Sequence, residues 1–290
     1  MIRLGMLDLD TSHAVEFSKR LNHKVVAQDQ WVDGAQVVLA CPGVSKIMAE
    51  RIPGFAKAVA EDCGVKLVDR PEDMLGKIDG LLLEGNDGSS HLERARPFLE
   101  AGIPVWIDKP LAWTVKDAEA IAALSAKKNA PVFSASSVRY ALEVQALHAA
   151  REELGAPVAV EAYFAQAKKD NIPGWFFYGI HAVELLFAIL GPGHGKISYT
   201  KGDGAEAVSC PWRGGALGTV VALTKGTKPS GFTYFGEKGM RHCVIAGAYG
   251  YRELLKQIVA FFQARRSLVA IEETIETIRF IEEVNAAGGK

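Results

Sequence analysis

Cysteine is scarce. Only four of 290 residues carry it, and no two form a CxxC pair. Cys41, Cys63, Cys210 and Cys243 are scattered, so neither a disulfide framework nor a zinc cluster is expected. They read as small buried apolar residues of a reduced, cytoplasmic protein. An excess of either charge is also missing. The 33 Lys and Arg stand against 34 Asp and Glu, for a formal net charge of −1. A nucleic-acid partner would call for a basic excess, and a charged tail for a block of one sign, so neither is expected. No apolar run reaches the roughly 18–20 residues of a membrane span. The opening MIRLGMLDLDTSH has no basic start followed by a long apolar run, so no secretory leader and no membrane association are expected.

What is present is a large apolar fraction, 49% of residues, enough for a sizeable core in one large or two ordinary domains. The first half alternates short apolar runs with helical periodicity. Strands are expected at 2–9, 35–40, 66–68, 78–84, 104–108 and 131–136, with helices between them. Thr114 followed by Asp117 has the spacing of a capping box. This rhythm implies an α/β class with a Rossmann-like, doubly wound parallel sheet over residues 1–137. From about Gly155 the pattern changes to strands at 158–166, 196–200, 205–211, 218–224 and 231–235 with few helices between. That is mostly antiparallel-sheet behaviour. Helices are expected at 179–190, 251–265 and 271–286. Residues 138–290 therefore read as a second, α+β domain.

Doubly wound sheets bind ligands at the carboxyl ends of their strands. Asp10, Thr11, Ser12, His13, Cys41, the stretch from Glu84 to His91, Asp108 and Lys109 fall there. Lys109 ends the apolar run 104–108 and precedes Pro110, which removes a backbone donor and steers Lys109 away from helical geometry. An ammonium so placed can hydrogen-bond a substrate hydroxyl and help remove its proton. On local features alone it reads equally as a surface lysine in a turn. His181, on a helix whose apolar face carries Val183, Leu186 and Leu190, reads locally as a hydrogen-bonded buried histidine. The histidines and their acidic neighbours have no metal-ligand spacing, so no metal site is expected.

Several segments, in order along nearly the whole chain, resemble the Gfo/Idh/MocA oxidoreductases, which use NAD or NADP mostly on sugars and polyols. IDKPLAWTVKDAEAI resembles that family's EKP segment, and GSSHLERARPFLEAGIPVWIDKP its strand–His–helix–strand run. GIHAVELLFAILG resembles its G-x-H-x-x-D helix and FGEKGMR its FG-x-x-G turn. The resemblance implies a sugar, cyclitol or sugar-derived substrate. It makes Lys109 and His181 the acid–base pair, and makes the protein a homodimer or homotetramer through its second sheet. It places Arg139 and Tyr140 near substrate. Lys168 and Trp175 lie in a loop before the His181 helix, and an aromatic with polar groups there reads equally as the lining of a sugar pocket and as a solvated loop.

Three departures stand beside it. Phe177 occupies the place of an acid four residues before His181, with Tyr178 the nearest polar replacement. The G-x-G-x-x-G fingerprint that lets a pyrophosphate approach the backbone is missing, only Gly5 surviving. Asp10 puts negative charge in its place, and the second strand ends in LACPG, without a ribose-binding acid or an arginine. The sequence therefore also admits a non-redox descendant, a lyase, an isomerase or a sugar-binding regulator, with weakened or lost cofactor binding.

Overall fold

The computed structural model describes residues 1–289. The chain forms two compact units. The first comprises Met1–Ala135 with Tyr251–Thr274, and the second Ser136–Gly250 with the chain from Ile275 onward.

The first unit is built on β1 (Ile2–Leu7), α1 (Ser12–Leu21), β2 (Ala35–Cys41), α2 (Ile52–Glu61), β3 (Lys66–Leu67), β4 (Gly80–Leu83), α3 (His91–Glu100), β5 (Val105–Ile107), α4 (Val115–Lys128) and β6 (Val132–Phe133). All strands pair in parallel in the order β3-β2-β1-β4-β5-β6. Both faces are covered, so β4 and β5 are buried along their whole lengths and read as continuous apolar runs. Helix α4 starts on the capping pair: Asp117 N–H donates to Thr114 Oγ1 at 3.0 Å, and that hydroxyl donates to Asp117 Oδ2 at 2.7 Å. It stops at Asn129 in the left-handed conformation.

The second unit contains α5 (Leu142–Ala149), α6 (Arg151–Leu154), β7 (Pro157–Ala165), α7 (Gly179–Leu190), β8 (Ser198–Lys201), β9 (Ala205–Pro211), β10 (Leu217–Leu223), β11 (Gly231–Gly236) and β12 (Met240–Val244). The sheet order is β12-β11-β7-β10-β9-β8, and only β7 and β10 run parallel. Helix α7 packs on one face of this sheet. Gly218 of β10 leaves room there for Leu186 of α7 and the Trp212 ring, which a Cβ would meet at 3.3 and 2.6 Å. Helix α5 and edge strand β12 are additions to the expected elements.

Helix α8 (Gly250–Ala264) departs from the expected division at 137/138. Most of it packs with the first unit, because its apolar side needs the cover that the first sheet's helical layer supplies. The Phe262 ring fills the space beside Gly80, where a Cβ would lie 2.4 Å from it. Phe261 meets Phe133 in a tilted contact with ring centroids 5.5 Å apart, and Val259 sits over Gly34. Each such ring or branched side chain contributes about 1.5–3 kcal/mol by leaving water. Helix α9 (Ile271–Val284) then brings Phe280 to 6.0 Å from Phe187 of α7 in the second unit. Among the described residues, no helix is long and apolar enough to cross a membrane.

Candidate active site

Strand β1 ends two residues earlier than its apolar run implies, and the chain turns at Asp8 with φ of 65°. That left-handed backbone is the one a fingerprint glycine normally fills. Asp8, Asp10 and His13 thus stand at the spacing of the three glycines, and both acids are buried. Asp8 pairs with Arg94 of α3, whose Nε donates to Oδ2 at 2.8 Å and whose second guanidinium nitrogen contacts Oδ1. Burial nevertheless pushes the Asp8 carboxyl up against the pull of Arg94. Asp10 accepts from Ser45 Oγ at 2.5 Å, Asn86 N at 3.0 Å and Asn86 Nδ2 at 2.9 Å. Burial pushes it up as well. The expected repulsive carboxylate is therefore engaged inside the protein instead of presented to a phosphate. Thr11 caps α1 by accepting from His13 N, and Ser12 is exposed at the helix start.

Beyond the ends of β4 and β5 lie Glu84 and Asp108. Glu84 is fully buried, and neither carboxylate oxygen has a hydrogen-bond partner among the described residues. Burial first, then the acids Asp108 and Asp10, push its carboxyl well above the usual range. Asp108 Oδ2 lies 2.7 Å from His13 Nδ1, while Oδ1 accepts from Lys109 N at 2.7 Å. Although buried, Asp108 is held below the usual range by His13 and Lys109. His13 stacks on Phe17 at 5.2 Å and meets Tyr251 edge-on. Lys109 is 9% exposed, and its Nζ has no ion pair or hydrogen bond among the described residues.

Two expected cofactor contacts take other roles. His91 is fully buried with its ring nitrogens 2.8 Å from Gly85 O and 3.1 Å from Leu111 O. It ties the segments after β4 and β5 together and offers no surface to a ligand. Cys41 is buried with Sγ on Asp69 O, and burial pushes its thiol up. It does line a cavity of about 350 Å³ at the ends of β2 and β3, with Gly43, Leu67, Asp69 and Arg94. Asp69 and Arg94 are the acid and the guanidinium missing from the second strand's own end. They arrive from sequence-distant elements.

In the second unit, Ser136 and Arg139 staple the first turn after the sheet crossing to α7. Ser136 Oγ lies 2.6 Å from His181 Nδ1, and Arg139 Nε donates to buried Glu184 Oε2 at 2.8 Å. His181 is half-buried, stacked on Phe164 at 4.8 Å with Tyr178 edge-on at 5.7 Å. Tyr178 is exposed, and Phe177 packs edge-on against it. Tyr140 is half-buried, and its carbonyl accepts from Gln145. Trp175 corrects the expectation of a pocket-lining loop residue. It is fully buried, with Nε1 donating to Glu206 Oε2 at 2.6 Å, because an indole N–H in a core needs an acceptor. Lys168 joins the same acid at 3.3 Å. Glu84, Asn86, Ser45, Arg94 and Ser136 complete these constellations, and nothing local in the sequence marks any of them individually.

Residues 34–136 match the family model GFO_IDH_MocA, described as an oxidoreductase family with an NAD-binding Rossmann fold. The match begins beyond the acid-bearing turn. Among curated proteins none matches the chain. Solved structures share its fold over nearly full length. A probable dehydrogenase from Thermotoga maritima is 15% identical with TM-score 0.79, covering 99% of this chain and 97% of that one. A UDP-N-acetylglucosamine 3-dehydrogenase from Acidithiobacillus ferrooxidans is 14% identical with TM-score 0.78, covering 99% and 98%. A scyllo-inositol dehydrogenase from Lactobacillus casei, solved with NAD(H) and scyllo-inositol, is 14% identical with TM-score 0.77, covering 99% and 96%. Residues 34–136 thus match a family of NAD-binding Rossmann oxidoreductases, and the chain as a whole shares the fold of these dehydrogenase structures.

Proposed function

We propose that this protein is a nicotinamide-dependent oxidoreductase acting on a hydroxyl of a small carbohydrate-like molecule. The observation that carries the reading is Lys109. Its side chain is largely buried, its ammonium has no ion pair among the described residues, and it sits where doubly wound sheets bind ligands.

The residues present fit the adenosine half of the cofactor. The cavity beside Cys41 offers Asp69, the residue type that accepts from ribose hydroxyls. Arg94, the type that meets a 2′-phosphate, is already held by Asp8. That favours NAD over NADP. The amino terminus of α1, with Ser12 exposed, suits a pyrophosphate.

When bound, the nicotinamide supplies the two-electron exchange. Lys109 Nζ hydrogen-bonds the substrate hydroxyl and lowers its pKa. His181, the acid–base partner that the family resemblance implies, takes the proton. Arg139, engaged by Glu184, holds α7 and positions that ring. Tyr178, beside His181, and Tyr140 are the remaining candidates for substrate contact.

Titration with NADH and NADPH by fluorescence, followed by a screen of polyols and sugars, tests this reading. Lys109→Ala is expected to lower turnover by about 10²–10⁴-fold with NADH affinity unchanged. No binding of either nucleotide at millimolar concentration overturns it. The acids Asp8 and Asp10 in the turn would then favour a non-redox enzyme or sugar binder of the same fold. In that case Lys109→Ala would weaken only ligand binding in a binder, but abolish turnover in a lyase or isomerase.

The second sheet's uncovered face supports a homodimer or homotetramer. Leu217, Ala159, Phe235 and Met240 stand in one row across four strands, and all but Ala159 are exposed large apolar residues. A monomeric mass in solution would dismiss it.

A further inference from the structure

Glu84 is used by nothing in the proposed reaction. It is a fully buried carboxyl, with both oxygens lacking a partner among the described residues. Leaving such a group unmatched costs about 1–3 kcal/mol, and more when charged. A proton on Glu84 would serve one oxygen at most and leave the other without a donor among the described residues. Its charged neighbours Asp108 and Asp10 are acids.

Glu84 does not stand alone. One ligand atom each from His13, Glu84 and Asp108 lie within 4.8 Å of one another. They come from three separate places, the start of α1 and the ends of β4 and β5. These meet where the strand order turns from β1 to β4, the switch point of the sheet.

We propose that His13, Glu84 and Asp108 form a site for one divalent cation of the Zn²⁺ or Mn²⁺ kind. An imidazole with two carboxylates is the mixed nitrogen and oxygen set that such borderline ions take. The charges match: two carboxylates and a neutral imidazole balance one divalent ion. The three ligand atoms already converge within 4.8 Å. A tetrahedral ion with bonds of about 2.1 Å sets its ligands about 3.4 Å apart, so the cation would replace the present 2.7 Å hydrogen bond between His13 Nδ1 and Asp108 Oδ2. The outer oxygen of Asp108 is already oriented by the Lys109 backbone N–H, the kind of supporting bond that fixes a ligand. The cation would also give Glu84 the partner it lacks, and would offset the negative charge concentrated at the switch point. This inference is independent of the redox reading, because cation binding is measured without turnover.

The test is calorimetric titration of chelator-treated full-length protein with ZnCl₂ and with MnCl₂. One cation per chain is expected, with a matching rise in thermal midpoint. Glu84→Gln keeps the shape and removes the charge, and is expected to weaken binding by about tenfold or more. Glu283→Gln, beside His194 in the second unit, is the control for a surface site and is expected to change nothing. If Glu84→Gln does not fold, anomalous diffraction from the unmutated protein soaked in MnCl₂ decides. A peak between the three side chains supports the site. Absence of a peak there, absence of binding up to millimolar cation, or undiminished binding by a folded Glu84→Gln variant overturns it and leaves an ordered water as the partner of Glu84.

Discussion

The carboxyl edge of the first sheet has two halves of different chemistry. At the ends of β2 and β3 it is open, with Cys41, Gly43, Leu67 and Asp69 around a cavity and Arg94 at its side. At the ends of β1, β4 and β5 it is crowded with acids: Asp8, Asp10, Glu84 and Asp108. The match to the NAD-binding model spans residues 34–136, so it takes in the open half together with Glu84 and Asp108 and leaves out the turn that carries Asp8 and Asp10. In the crowded half each acid but one is tied to a specific donor or cation.

The largest expected effect tests the seam between the halves. Arg94→Met leaves buried Asp8 without its cation, and chemical denaturation should show a loss of about 3–5 kcal/mol. A neutral outcome would mean that Asp8 already carries a proton. Next is Glu84→Leu in chelator-treated protein, which should raise stability by about 1–3 kcal/mol by removing an unmatched carboxyl. A loss of stability there would mean that Glu84 has a partner, and the contrast with its neighbours would disappear. Asp69→Asn should weaken NADH binding about tenfold, roughly 1.4 kcal/mol, with little change in fold stability. Unchanged affinity would show the open half to be no nucleotide pocket.

The smallest effect concerns a fully served acid in the second unit. Burial works against ionised Glu276, but donors from Gly193 N, His194 N and the His194 ring outweigh it and hold the carboxyl below the usual range. Its stabilisation is present above the ordinary carboxylate pKa of about 4.3 and fades as the pH falls through the lowered value. The thermal-midpoint gap between parent and Glu276→Gln should therefore shrink on acidification through that window. A gap constant with pH would refute the assignment.

The architecture was legible because both periodicities are strong. Runs such as Gly80–Leu83 have no polar face to confuse them, and the Thr114–Asp117 pair marks a helix start by local hydrogen bonding alone. Boundaries were less so: the apolar run at 2–9 outlasts its strand because Leu9 is buried by the turn instead of by pairing. Site residues that depend on chain-distant partners were out of reach. Asp69 and Arg94 become neighbours of Cys41 only through the sheet. Trp175 looked like loop surface because its acceptor, Glu206, is 31 residues away. Glu84 is marked in the sequence only as one of a stretch at a strand end, since nothing local says that both of its oxygens are unmatched.

The return of Tyr251–Thr274 to the first unit has a practical meaning. A gene cut at codon 137 would encode the parallel sheet without Val259, Phe261 and Phe262, leaving bare the hollows beside Gly34 and Gly80 and the face of Phe133. A fragment meant to isolate the nucleotide fold should instead carry that helical segment grafted behind Ala135 through a short flexible tether.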